Sequence, residues 1–109
     1  MTLDLNFDGK VAVITGAGSG MGLLASEKFA ESGASVAMLD INEESLARES
    51  ERLKGMGYSV LPIVCDVRKF ESIKNAVDLV KNTFGRIDIT ISFAGGYAGR
   101  ILGDSKFLS

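Results

Sequence analysis

Short apolar runs alternate with longer amphipathic stretches along the chain. The first run, Val11-Ala12-Val13-Ile14, is apolar without interruption, the pattern of a strand covered on both faces. It predicts a strand over 10–15. Similar runs predict strands over 35–40, where Val36, Ala37, Met38 and Leu39 are apolar, over 59–65 and over 87–92. The stretches between them have helical period. Over 20–32, Met21, Leu24, Ala25 and Phe29 fall on one face and Glu27, Lys28 and Glu31 on the other, with Gly33 where a left-handed residue ends a helix. Over 42–56, Asn42 can cap the helix, and Glu43 and Glu44 sit in its first turn, where negative charge is favoured. Only Leu46, Ser50 and Leu53 make a stripe there, so this helix is predicted to lie outermost, closed by Gly55 and Gly57. Over 69–84, Phe70, Ile73, Val77, Val80 and Phe84 share a face, and Gly85 stops the helix. Residues 1–9 read as a lead-in ending in an Asp8-Gly9 turn. Residues 97–109 carry Ile101, Leu102 and Leu108 at no clear period and read as a loop or short helical turn.

The order β-α-β-α-β-α-β predicts an α/β fold with a parallel sheet and right-handed crossovers. Pro62 lies inside the third strand. Proline cannot donate to a ladder, so that strand is placed at a sheet edge. The doubly wound strand order 3-2-1-4 puts it there. The first two helices then cover one face and the third helix the other. A mean hydropathy of +0.21 fits a chain that buries both faces of its sheet.

Composition narrows the function. At 109 residues the chain holds one domain at most. A net charge of −2 gives no electrostatic attraction to nucleic acid or an anionic membrane. No apolar run approaches the ~20 residues that span a bilayer. Residues 1–10 carry Asp4 and Asp8 and lack the basic and apolar regions of a signal peptide. The single cysteine, Cys65, excludes an internal disulfide, suits a reducing compartment and reads as a small buried hydrophobe. These features predict a cytoplasmic protein. With no histidine in the chain, Ser-His-Asp and Cys-His catalysis are excluded and no metal site is expected.

The chemistry concentrates where the first strand meets the first helix, in Thr15-Gly16-Ala17-Gly18-Ser19-Gly20-Met21-Gly22. A helix start leaves backbone N–H groups unpartnered and carries partial positive charge. Glycines let a phosphate approach it closely. Met21 breaks the G-x-G-x-x-G fingerprint, whereas Thr15, Gly16, Gly20 and Gly22 fit T-G-x-x-x-G-x-G. Asp40 ends the second strand, where a carboxylate accepts from both hydroxyls of an adenosine ribose. It would also repel a 2′-phosphate: two unit charges about 4 Å apart at an effective dielectric of about 20 interact by about 4 kcal/mol. Neither Ser19 nor Ile41 supplies a compensating cation, so NAD is favoured over NADP.

That turn resembles the one after the first strand of the short-chain dehydrogenase/reductase family, and the resemblance runs from about Phe7 to Gly96. It implies a Rossmann-type fold, of which this chain is the first half, and hydride transfer between NAD(P) and a small alcohol or carbonyl. In the family an Asp-Val or Asp-Leu pair ending the third strand borders the adenine, matched here by Asp66-Val67. Phe93-Ala94-Gly95 aligns with the end of the family's Asn-Asn-Ala-Gly, with Ser92 and Phe93 in place of the asparagines. The cofactor-binding set is therefore Gly16, Ser19, Gly20, Met21, Gly22, Asp40, Ile41, Asp66, Val67, Phe93, Ala94 and Gly95. The family's tyrosine acid/base with a lysine four residues on is not matched, because Pro62 follows Tyr58 and Ile101 follows Tyr97 at that spacing. No catalytic residue is assigned.

The chain is read as one partial NAD-binding domain over 1–109, truncated relative to the family and inactive alone, with 97–109 a tail or the start of a substrate-side loop. Its fourth strand would present an unpaired edge. Family members are commonly dimers or tetramers, which implies a homo-oligomer for the full-length enzyme. Two other readings stay open. Gly16, Gly18 and Gly20 also fit the G-x-G-x-G of an S-adenosylmethionine-dependent methyltransferase, although Thr15 stands where that family places an acid. A non-catalytic nucleotide-binding module would need no tyrosine and lysine.

Overall fold

A computed structural model describes residues 6–93. The strands β1 (Val11–Thr15), β2 (Ser35–Asp40), β3 (Val60–Val64) and β4 (Ile89–Ser92) alternate with the helices α1 (Gly20–Glu31), α2 (Glu43–Gly55) and α3 (Phe70–Phe84). All pairings are parallel, in the order β3-β2-β1-β4. Pro62 stands opposite Met38 in β3, on the edge strand where its missing N–H costs no ladder bond.

Alternation along the strands sends side chains to two cores. Val11, Val13, Ala37 and Leu39 meet Ile73, Ala76, Val77 and Val80 of α3. Ala12, Ile14, Val36 and Met38 meet Ala30 of α1 and Leu46 and Leu53 of α2. Both faces of the central strands are thus covered, which is why β1 is apolar at successive positions. Asn42 caps α2, its side-chain oxygen accepting from the Ser45 N–H at 3.0 Å, and Leu46, Ser50 and Leu53 are that helix's buried residues.

Two expected helix faces are corrected. In α1 the buried residues are Gly22, Ser26 and Ala30, whereas Met21 and Leu24 are 64% and 47% exposed. Small residues one turn apart let the helix lie close against the sheet, and the Ser26 hydroxyl is satisfied by the Gly22 carbonyl at 2.8 Å. Of the predicted face, Ala25 and Phe29 pack against the core beside that contact, joined by Leu23, and only Met21 and Leu24 are left outside it. In α3, Phe70 at the first turn is exposed, and Ala76 takes part in the buried face.

This inversion in α1 predicts opposite outcomes for two substitutions followed by chemical denaturation. Ala30→Leu overfills the contact and is expected to destabilise by about 1–3 kcal/mol. Leu24→Gln is expected to change stability by less than about 0.5 kcal/mol. The reverse order would mean that Leu24, and not Ala30, faces the sheet.

Candidate functional site

The C-terminal ends of β1, β2 and β3 converge on the glycine turn. The ladder between β1 and β2 continues past Thr15, with the Ala17 N–H donating to the Leu39 carbonyl at 3.0 Å. The next amide, Gly18 N–H, donates to Asp40 Oδ2 at 2.8 Å. Asp40 Oδ1 accepts from the Asn42 N–H at 2.9 Å, and the Asp40 carbonyl accepts from the Cys65 N–H at 3.0 Å. The carboxylate that the sequence singles out is therefore directed at the turn, with one backbone donor on each oxygen.

The turn is shaped for close approach. Gly16 and Gly20 have φ of +65° and +57°, a region that side chains disfavour. Gly22 needs its missing Cβ for another reason, since a Cβ there would collide with the Gly16 carbonyl. Ser19 is the N-cap of α1, yet its side chain makes no capping bond, and no acidic residue stands in the first turn. Neither a Ser19 cap nor a first-turn carboxylate competes for that positive helix end, which suits an anion.

Beside the turn lies a cleft of 270 Å³ lined by Gly16, Asp40, Ile41, Cys65, Asp66, Val67 and Arg68. It unites five of the predicted residues: Gly16, Asp40, Ile41, Asp66 and Val67. Ser19, Gly20, Met21 and Gly22 follow from Gly16 into α1. Phe93 sits next to the start of the turn, its N–H donating to Thr15 Oγ1 at 3.2 Å. Ala94, Gly95 and the segment 97–109 lie outside the described residues.

Sequence reasoning named Thr15 only as part of the glycine motif and missed its pairing, along with the roles of Asp88, Arg68 and Gly18. Thr15 is fully buried, and its hydroxyl donates to Ser92 Oγ at 3.0 Å while accepting from Phe93, which stitches β1 to β4 without the asparagines the resemblance implies. Asp88 does the same at the other end of these strands. Its Oδ2 accepts from the Val11 N–H at 2.8 Å, and Arg86 together with that N–H holds its carboxyl below the ordinary range. Arg68 enters the cleft wall and grips Asp66 with Nε at 2.9 Å and Nη2 at 3.0 Å. That guanidinium holds the Asp66 carboxyl down at about 2. Gly18 occupies an unconstrained position of the motif, yet it touches Asp40. Cys65 is buried in the same wall, and burial pushes its thiol up, in keeping with a packing role.

The family profile described as short chain dehydrogenase matches residues 10–107. An uncharacterized oxidoreductase of Thermotoga maritima is 46% identical over 84% of this chain and 36% of that protein. A D-threitol dehydrogenase of Mycolicibacterium smegmatis is 39% identical over 84% of this chain and 35% of that protein. A short chain dehydrogenase/reductase of Burkholderia phymatum solved in complex with NAD superposes with a TM-score of 0.76 at 37% identity, covering 79% of this chain and 31% of that one. The chain thus spans about a third of the length of the curated relatives it matches.

Two measurements check this geometry. The Asp66 carboxyl should titrate near 2 by carbon-detected NMR, and Arg68→Ala should move it up toward 3.8. Because this carboxyl is depressed in the folded state, its contribution to stability is present above about 3.8 and is lost as pH falls through about 2. Thr15→Val keeps the shape but removes the hydroxyl that bonds Ser92 Oγ and the Phe93 N–H, while that N–H retains the Thr15 carbonyl at 3.3 Å. It is expected to cost about 0.5–1.5 kcal/mol in urea denaturation. An unchanged midpoint would mean that the Thr15 hydroxyl bonds contribute nothing to holding β4.

Proposed function

The chain belongs to the short-chain dehydrogenase/reductase family, and from that premise we propose that it forms the dinucleotide-binding part of an NAD-dependent oxidoreductase acting on a small alcohol or carbonyl. The observation that carries the reading is the Asp40 carboxylate, directed at the glycine turn from the end of β2. Each carboxylate oxygen holds one backbone N–H and keeps further lone-pair capacity for a ligand hydroxyl. The first turn of α1, with no Ser19 side-chain cap and no acidic residue, suits a pyrophosphate. The cleft walled by Ile41, Asp66 and Val67 offers an apolar surface with an acceptor at its rim, which suits an adenine and its amino group.

In this reading Gly16, Ser19, Gly20, Met21 and Gly22 hold the diphosphate, Asp40 the ribose, and Ile41, Asp66 and Val67 the adenine. Phe93, Ala94 and Gly95 border the cofactor beyond β4. Bound nicotinamide supplies the hydride acceptor or donor. The chain's own residues bind and orient it; no residue of the chain is assigned to proton transfer, and the chain alone is read as binding without turnover. The NAD complex of the Burkholderia phymatum relative and the polyol named for the Mycolicibacterium smegmatis relative support the cofactor and substrate classes. Assembly as a homo-oligomer and a cytoplasmic location complete the reading. Among the described residues no helix is long and apolar enough to cross a membrane.

The preference for NAD is tested by calorimetry with NAD, NADP and S-adenosylmethionine. Asp40→Asn removes the charge and keeps the shape. It is expected to weaken NAD by about tenfold while leaving NADP unchanged or tighter. Tighter binding of S-adenosylmethionine than of either dinucleotide would replace this reading with the methyltransferase one.

A further inference from the structure

Gly18 presents a puzzle that backbone conformation does not solve. Its φ is not among the positive values found at Gly16 and Gly20, so other residues fit its backbone. A side chain there would instead press on the side chains around it. A Cβ at Gly18 would lie 2.8 Å from Ser45 Oγ, 3.0 Å from Asp40 Oδ2 and 3.3 Å from Asp40 Cγ. Ser45 stands in the first turn of α2, its N–H bound to the Asn42 side chain at 3.0 Å. Asn42 in turn donates its N–H to Asp40 Oδ1. The Asp40 carboxylate is thus held by one amide from the glycine turn and one from the α2 cap, with the Ser45 hydroxyl close to where the two elements meet.

We infer that Gly18 and Ser45 form a niche that fixes the orientation of Asp40, and that this orientation, rather than the charge alone, sets selectivity for an unphosphorylated over a 2′-phosphorylated ribose. The inference rests on the dinucleotide reading above and makes Gly18 and Ser45 positioning residues that act through Asp40. An aspartate has two side-chain torsions, and a vicinal diol is gripped only when both carboxylate oxygens face it. A charge that can swing away also repels a phosphate less. Crowding the niche therefore harms NAD and relieves NADP although no charge changes. A residue that only shaped the turn around the diphosphate would instead alter both cofactors equally, since they share that group.

The test measures dissociation constants for NAD and NADP in the unsubstituted chain, Gly18→Ala, Ser45→Ala and the double variant, with a thermal melt of each to establish folding. Gly18→Ala is expected to shrink the NAD-over-NADP ratio by about tenfold, the worth of a hydrogen bond to a charged group. Adding Ser45→Ala removes the closest obstruction and is expected to restore part of that ratio. Should Gly18→Ala not fold, Ser45→Val crowds the niche from the α2 side and is expected to shift the ratio in the same direction. An equal loss for both cofactors, or an unchanged ratio in a folded crowded variant, overturns the inference alone. Failure of the unsubstituted chain to bind either dinucleotide overturns the underlying reading and this inference with it.

Discussion

The close contact between the start of α1 and the end of β1 is the constraint on which the site depends. Gly22 lies so near the Gly16 carbonyl that a Cβ there has no room. That approach sets the first turn of α1 directly against the strand end. It also fixes the line of the helix, which then meets the sheet through Gly22, Ser26 and Ala30. A larger residue at this contact would lift the helix and draw its N-terminus away from Asp40. The cleft and the open helix end are thus consequences of one backbone-to-backbone contact, made possible by the absence of a side chain.

Most of the fold was legible because burial on two faces leaves a strong signal. A strand covered on both sides must be apolar at consecutive positions, and β1 and β2 are. Pro62 marked the edge strand because a missing donor is tolerated only there. Asn42 read correctly as a cap, since its side chain can mimic the absent turn. The buried face of α1 was legible only in part. Gly22, Ser26 and Ala30 carry little hydrophobicity, so a search for apolar spacing selected Met21, Leu24, Ala25 and Phe29, of which only the last two pack against the core. Close packing is invisible to such a search because it is expressed as absence of volume.

The candidate site was legible to the extent that its residues stand at fixed places relative to strand ends. Asp40, Asp66 and the glycines do so, and five of the predicted residues line one cleft. What could not be read was side-chain pairing across the fold. Nothing in the order of residues says that Thr15 meets Ser92 or that Arg68 folds back on Asp66. Nor does it say that the second glycine of the turn is shaped by a serine on another helix. These contacts join segments far apart in sequence or depend on rotamers, and only tertiary packing decides them.

The finished arrangement has a polarity that follows from where its charges lie. Among the described residues the cleft holds two carboxylates, Asp40 and Asp66, and one cation, Arg68, which is bound to Asp66. In the reading proposed above, the Asp40 carboxylate therefore gives the cleft the character of an acceptor, favouring neutral groups rich in O–H and N–H over phosphate. A few residues along the chain, the start of α1 has the opposite character, with backbone donors and partial positive charge. A ligand that is anionic at its middle and a hydrogen-bond donor at one end can satisfy both regions in one direction only. Reversed, it would set its diphosphate against Asp40 and its hydroxyls against groups that cannot accept from them. In the proposed reading the strand ends thus define an orientation as well as a location, with the Gly18 N–H bond to Asp40 joining the two regions.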